Sequence, residues 1–339
     1  MTRSTIQRLR LLTIMVVIGA TAGSLYGIIQ ARPNANSVVE LAMGAIIGVV
    51  ISSFLGGFEL FGGPFLERGG RRLSLVAAIL VRTTIYGIVI MAALLVVPWM
   101  YSGAALSLHR PGLRNAIIFS VVATFVAVAI LSIAQLIGPR VLVSFLTGRY
   151  YHPREEERIV VFLDLVGSTT IAERLGNIRF HALLAEVFTW LSRVVTDYGG
   201  EVYRYVGDAM IATWPVGVAE ENARPIRCLF ACQDALESAA SDLLRRHGQM
   251  PRFRAGLHVG PLVAGEIGGF KREIALLGDA MNTTARIEQT CRETGHSVLV
   301  SALLLGRTAM PAGIVAISIG EHLLRGKSEH LELFALARR

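Results

Sequence analysis

The hydrophobic pattern divides this chain into two regimes. Ahead of residue 138 come four apolar runs, at residues 11–29, 38–61, 73–97 and 116–137, each long enough to cross a bilayer as a helix. Beyond residue 157 the apolar positions recur at shorter periods. Ile159 to Leu163 form an apolar run that ends in Asp164, and Leu165, Val166 and the polar turn Gly167-Ser168-Thr169 follow. That order predicts a buried strand feeding a helix. Residues 170–198 have helical periodicity (Ile171, Leu175, Phe180, Leu183, Leu184, Val187, Leu191), stopped by Gly199-Gly200. Residues 203–212 alternate on both sides of Gly207-Asp208, a hairpin with Asp208 at its tip. A second long helical stretch covers 219–246. Strands are expected at 253–259 and 262–267, broken at Gly260-Pro261, then at 274–277, 297–300, 314–319 and 331–336, with a helix at 282–292. This mixture predicts an α+β sandwich on one central sheet.

Pro139 closes the fourth apolar run, and residues 139–157 turn charged. They read as the membrane exit and a linker, either a passive tether or a relay of helix spacing. With four spans both chain ends share one side of the bilayer. Arg3, Arg8, Arg10, Arg68, Arg71, Arg72, Arg140 and Arg149 fall on that side, against Arg32, Arg110 and Arg114 opposite, which predicts cytoplasmic ends. Ala20-Thr21-Ala22 resembles a signal cleavage site, but an uncleaved first helix is the expected form. Arg82 inside the third run is expected to snorkel to the interface; pairing with Glu40 or Glu59 is the other reading. Gly19, Gly23, Gly44 and Gly48 are spaced for close helix packing.

Composition changes the picture in three ways. The 339 residues suffice for two domains, and at 53% hydrophobic the chain is too apolar to lack a membrane part. The net charge of +8 is carried almost wholly by arginine, with Lys271 and Lys327 the only lysines. It lies beside apolar runs, where it sets topology or meets anionic lipid, and no basic-aromatic interleaving points to nucleic acid. Cys228, Cys232 and Cys291 have no metal spacing and read as core residues in a reducing compartment.

The candidate chemistry starts from Asp164. A carboxylate at the end of a buried strand is costly unless it is paired or holds a cation, and the turn after it offers backbone N–H groups for phosphate. Asp208 at a hairpin tip supplies a second acid, and two such acids brought together by a sheet suit two metal ions.

Three segments then carry a resemblance: Phe162-Leu163-Asp164-Leu165-Val166-Gly167-Ser168-Thr169, Val206-Gly207-Asp208, and Gly278-Asp279-Ala280-Met281-Asn282-Thr283-Thr284-Ala285-Arg286. In this order they resemble the class III nucleotidyl cyclase catalytic domain, from about Arg154 to the C-terminus. The resemblance implies a ferredoxin-like α+β catalytic domain at 158–339, behind an all-α four-helix transmembrane domain at 1–138. It implies closure of a nucleoside triphosphate's ribose 3′-oxygen onto its α-phosphorus, with pyrophosphate expelled. Asp164 and Asp208 match two metal-binding aspartates, for two Mg2+ or Mn2+ ions, with the Leu165 carbonyl as a further ligand. The backbone of Val166, Gly167 and Ser168 would meet the phosphates. Asn282 and Arg286, four apart on one helix face, match the pair that orients the ribose and stabilises charge at the α-phosphate. In the family these two pairs come from different subunits, so one chain with all four residues implies a homodimer with two equivalent sites. Lys327, in Leu324-Arg325-Gly326-Lys327, matches a basic residue on the triphosphate, with Arg325 as second choice. His258 reads as structural, and Lys271 with Arg272 as an exposed loop.

Two positions depart from the family. Arg204 stands where many members have an adenine-reading lysine, and Ala275 where its aspartate partner would be; the guanine-reading glutamate–cysteine pair is absent too. The expectation is a bacterial inner-membrane adenylate cyclase, its catalytic domain cytoplasmic, with ATP, the lipid bilayer and a second copy as partners. The alternatives are a guanylate or relaxed-specificity cyclase using GTP, and a catalytically inactive membrane receptor that binds nucleotide.

Overall fold

The computed structural model describes residues 3–29, 37–59, 74–102, 113–324, 326 and 329–339. They form two compact units, Met1–Thr147 and Gly148–Arg339. The first is helical: α1 (Arg3–Ile29), α2 (Ser37–Gly57), α3 (Leu75–Ser102), α4 (Leu113–Ile137) and the short α5 (Pro139–Thr147). Three of these contain stretches long and apolar enough to cross a membrane, at Leu12–Ile29, Ser37–Gly57 and Val76–Val97. The fourth expected run is helical as well, within α4, where the apolar stretch among the described residues is Ser120–Ile130.

The glycine spacing has a structural counterpart. Gly19, Gly23 and Gly27 of α1 lie against Gly48, Gly44 and Glu40 of α2, so close that a Cβ on any of the three would overlap the facing backbone or Ser52. Small residues let the two backbones approach, which is how helices gain packing energy in lipid. Arg82 corrects its expectation. It is buried, with Nη1 3.7 Å from Glu59 Oε2, and Tyr86 Oη donates to Glu59 Oε1 at 2.6 Å. A charge held inside a bundle needs such a partner, and the neighbouring carboxylate supplies it without snorkelling.

The second unit is built on an eight-stranded sheet in the order β2-β3-β1-β4-β6-β8-β7, with β5 on the free stretch of β4. The strands are β1 (Arg154–Leu165), β2 (Glu201–Val206), β3 (Ala209–Pro215), β4 (Phe253–Ile267), β5 (Glu273–Leu277), β6 (Val298–Ser301), β7 (Ile314–Leu323) and β8 (His330–Arg338). Only β4 and β6 run parallel. Odd-numbered residues of β1 (Ile159, Val161, Leu163) enter the larger core with helices α6 (Ser168–Leu175), α7 (Asn177–Asp197), α8 (Arg224–Ser238) and α9 (Ala240–His247). Even-numbered Val160 and Phe162 face the other way, onto a smaller cluster with Ala280 of α10 (Asp279–Thr294). Strand alternation therefore assigns Asp164 to the α10 face. The three cysteines are free and buried, as core packing requires.

Several boundaries differ from the sequence reading, each for a local reason. β1 starts at Arg154, because Arg154 to Glu157 pair with Pro261 to Ala264 of β4. The stretch 170–198 is two helices, since Gly176 takes a φ of 75° with an extended ψ that no helix accepts. The stretch 219–246 is also divided, with Pro225 in the first turn of α8. β4 runs unbroken through Gly260-Pro261. Pro261 falls between the residues paired with β6 (255–257) and those paired with β5 (263–267), where that edge is open. A missing N–H there interrupts no ladder.

Candidate active site

The sheet brings the two predicted acids together. In the antiparallel β1–β3 register Asp164 lies opposite Ala209, the residue after Asp208. The Gly207-Asp208 turn is tight, with Gly207 at φ 60°, so Asp208 is carried back beside the end of β1. Burial pushes the Asp164 carboxyl above the ordinary carboxylate range, and the Asp208 charge pushes it further; Arg254 pulls the other way. A half-enclosed Asp164 carboxylate, held above its ordinary range by burial and by the neighbouring Asp208, marks a site that a cation would relieve. Leu165 is buried in the strand, and Val166, Gly167 and Ser168 follow at the surface, opening α6. Among the described residues no set of three or more acid, histidine or cysteine side chains is grouped to hold a metal. Two carboxylates and a backbone carbonyl thus fit a cation whose remaining ligands come from a phosphate or water.

Helix α10 presents the second pair. It begins at Asp279 behind Gly278, so Asn282 is inside the helix and does not cap it. Asn282 is exposed and Arg286, one turn on, is partly so. Among the described residues neither side chain has an ion-pair or hydrogen-bond partner. Thr283, Thr284 and Ile287 on the opposite side of α10 are buried. The helix is thus anchored by one face and displays an amide and a guanidinium on another.

Three charged residues at this site escaped the sequence reading. Arg254 of β4 pairs in register with Asp164 and reaches it, Nη2 to Oδ2, at 3.4 Å. Its Nε is 3.7 Å from Glu288 Oε1 on α10. Glu288 is pushed up to about 7, first by burial and then by the charge of Asp164. The available signal was positional: Arg254 opens the strand that must pair with β1, and Glu288 follows Arg286 by two. The third is Glu273, whose Oε1 is 2.7 Å from Arg204 Nη2. The position expected to matter, Ala275, is buried two residues further along β5. The Leu276 N–H donates to Tyr203 Oη at 3.0 Å, so β5 reaches across to β2 at this end of the sheet. Lys327 and Arg325 lie outside the described residues. His258 bonds Ser301 through Nδ1 at 2.8 Å and is buried, in keeping with a structural role. Lys271 and Arg272 are exposed between β4 and β5.

Known proteins are similar to this chain in sequence and fold. Residues 150–337 match the family model described as "Adenylate and Guanylate cyclase catalytic domain". Adenylate cyclase 2 of Rhizobium meliloti (strain 1021) is 38% identical over 248 residues, which cover 70% of this chain and 68% of that protein. Human retinal guanylyl cyclase 1 is 28% identical over 212 residues, 61% of this chain and 19% of that one. Among solved structures, a bacterial light-regulated adenylyl cyclase has the same fold, with a TM-score of 0.56 at 21% identity, over 65% of this chain and 62% of that one.

Proposed function

This chain belongs to the adenylate and guanylate cyclase family, and from that premise we propose that it converts ATP to 3′,5′-cyclic AMP and pyrophosphate at two equivalent sites of a membrane-bound homodimer. What carries the reading is the placement of Asp164 beside Asp208 on the sheet face that α10 covers, with Asn282 and Arg286 on that helix. Asp164, Asp208 and the Leu165 carbonyl would hold the metal. Bound there, two Mg2+ or Mn2+ ions supply electrostatic chemistry, a more acidic ribose 3′-hydroxyl and neutralised triphosphate oxygens. The N–H groups of Gly167 and Ser168 stand at a helix start and would donate to phosphate oxygens, whereas that of Val166 is already given to the Arg252 carbonyl at 2.8 Å. Asn282 of the partner protomer orients the ribose so that its 3′-oxygen is in line with the α-phosphorus. Arg286 of the same helix directs a planar, permanently charged fork at the oxygens where negative charge grows. Lys327 or Arg325 would add a cation to the triphosphate.

The helical unit is read as four spans at residues 1–138 that hold the enzyme in a bacterial inner membrane, with residues 139–157 leading to a cytoplasmic catalytic domain at 158–339. Arginines flanking the spans support that topology. A second reading on base choice has its own observation. Arg204 is tied to Glu273, so the purine edge meets an arginine–carboxylate pair in place of lysine and aspartate. A guanylate or relaxed-specificity cyclase therefore stays in view.

Assay of the purified protein with ATP and with GTP, each with Mg2+ and with Mn2+, tests the proposal. Cyclic AMP formation that falls at least about a thousandfold in Asp164→Asn and in Asp208→Asn is the expected result. A wild type that binds nucleotide yet turns over neither substrate would make the protein a receptor.

A further inference from the structure

The turn between β4 and β5, residues 268–272, projects an apolar ring and two cations. Gly268 takes a φ of 97°, and a Cβ there would stand 2.1 Å from the Lys271 carbonyl oxygen, so the chain doubles back within a few residues. Phe270 is fully exposed at the tip, more so than any other large apolar side chain among the described residues. One exposed apolar residue is ordinary on a protein surface, but here two neighbours share the trait. Ile267 at the end of β4 is exposed, and so is Tyr151 on the segment that enters β1. The Glu266 N–H donates to the Tyr150 carbonyl at 2.9 Å, which lays that segment beside the base of the turn. The turn is also positive. Lys271 is exposed, and among the described residues no carboxylate pairs with it. Arg272 reaches only to Glu266, Nη1 to Oε2 at 3.8 Å, with most of its side chain in solvent.

The route of the chain adds a constraint. Tyr150 follows Thr147, the last residue of α5, by three, so the link from α5 to the base of the turn is at most about 11 Å of chain. The helix α5 itself adds about 14 Å beyond the end of α4. We propose that this turn is a lipid-contacting finger: Phe270 enters the boundary between headgroups and acyl chains, and Lys271 with Arg272 meets anionic phosphates on the cytoplasmic surface. The inference rests on the reading of the helical unit as membrane-embedded. A basic residue near an anionic leaflet strengthens such partitioning about fivefold, and a buried ring adds to it. Neither contribution is large alone, but a short tether keeps the tip at high effective concentration over the surface. Lipid also suits this pair of residues better than a protein socket does. An ammonium on a flexible stem stays at headgroup level while the ring beside it goes deeper, whereas protein interfaces are depleted in lysine.

The test places a nitroxide on the full-length protein in nanodiscs and measures its collisions with oxygen, which concentrates in lipid, and with a nickel chelate, which stays in water. Gly269 takes the label well, because a Cβ there meets nothing within 4 Å and the three native cysteines are buried. In Gly269→Cys, in bilayers of phosphatidylcholine with phosphatidylglycerol, oxygen collisions should dominate. The ratio of inserted to free label should drop about fivefold on adding Lys271→Gln. It should drop as well on adding Phe270→Ser, and when phosphatidylglycerol is left out. Preference for the nickel chelate in the anionic bilayer overturns the inference. A label shielded from both probes overturns it too, since protein, a second copy included, would then cover the tip. A label at Ile88→Cys, exposed near the middle of α3, tests the premise separately. Access of the nickel chelate there would refute the membrane reading, whereas a preference for oxygen leaves residue 269 to decide.

Discussion

Among single side chains, the proposed function makes base choice turn on Arg204 and its partner Glu273. A guanidinium donates only, and the two adjacent acceptors of a guanine, O6 and N7, suit it well. In this protein Glu273 occupies that guanidinium and adds an acceptor, which an adenine amino group can use. Glu273→Ala should therefore lower the ratio of kcat/KM for ATP over GTP about tenfold, or ~1.4 kcal/mol, in paired assays. Installing aspartate at Ala275 is a poorer test, because that position is buried and a carboxylate there would need a partner. Glu288 gives a second prediction. Its ordinary value is 4.5, and in the folded metal-free protein it is pushed up to about 7. The folded state holds the proton more tightly, so stability from this group is complete below 4.5 and is lost as pH rises to about 7. Asp164 is shifted in the same direction. Chemical denaturation without metal should show Glu288→Gln more stable than wild type near pH 8, by up to about 3 kcal/mol, and no different near pH 4. An equal difference at both values would assign the effect to packing. The proposed roles of Asp164, Asp208, Asn282 and Arg286 come from the sequence because each stands in a motif with its own turn or helix start. Arg254, Glu288 and Glu273 could not, since their meaning comes from cross-strand register and from one helix lying close on a strand.

At the scale of elements, the contact between β4 and α10 decides whether the site is assembled. Both Glu288 N and Thr284 O crowd the space where a side chain on Gly256 would go, at 2.5 and 2.8 Å. Backbone cannot give way as a flexible side chain can. Gly256→Ala should cost about 1–3 kcal/mol of stability, read from the denaturation midpoint of the catalytic unit. Turnover should fall more than the folded fraction does, because the displaced helix carries Asn282 and Arg286. Loss of activity in strict proportion to unfolding would show that the helix position has slack. Most strands and helices of this unit were legible from periodicity, and the Gly207-Asp208 hairpin from its turn residues. The misplaced boundaries share a cause. Gly176 looked tolerable inside a helix and is a break; Gly260-Pro261 looked like a break and is tolerated. At Gly176 the left-handed φ ends the helix, whereas at Pro261 the assembled sheet decides, because the edge that its missing N–H would face is open. In the membrane unit the glycine spacing of α1 and α2 was visible, whereas the Arg82–Glu59 pair needed the helices set side by side.

For the whole molecule the question is how one chain makes a complete site. Asp164 and Asp208 end strands at one edge of the α10 face, while Asn282 and Arg286 stand exposed on α10 without partners among the described residues. If each protomer lends its acids to one site and its amide and guanidinium to the other, two different disabling substitutions can complement each other. Asp164→Asn kills the site that uses a protomer's acids; Asn282→Ala kills the site that uses its helix. In a heterodimer of the two variants both lesions fall in the same site and the other site is wholly wild type. Random pairing makes about half the dimers heterodimers, each with one working site of two, so a mixture should recover about a quarter of wild-type turnover. The variants alone should give almost none. Co-expression from one membrane, followed by cyclic AMP assay of each variant and of the pair, measures this directly. A site made wholly within one chain gives no recovery in the mixture, because every site then carries one of the two lesions. Recovery also requires exchange of protomers during assembly, so mixing the two variants after separate purification serves as the control: if the dimer is stable, activity should appear with co-expression and not with late mixing.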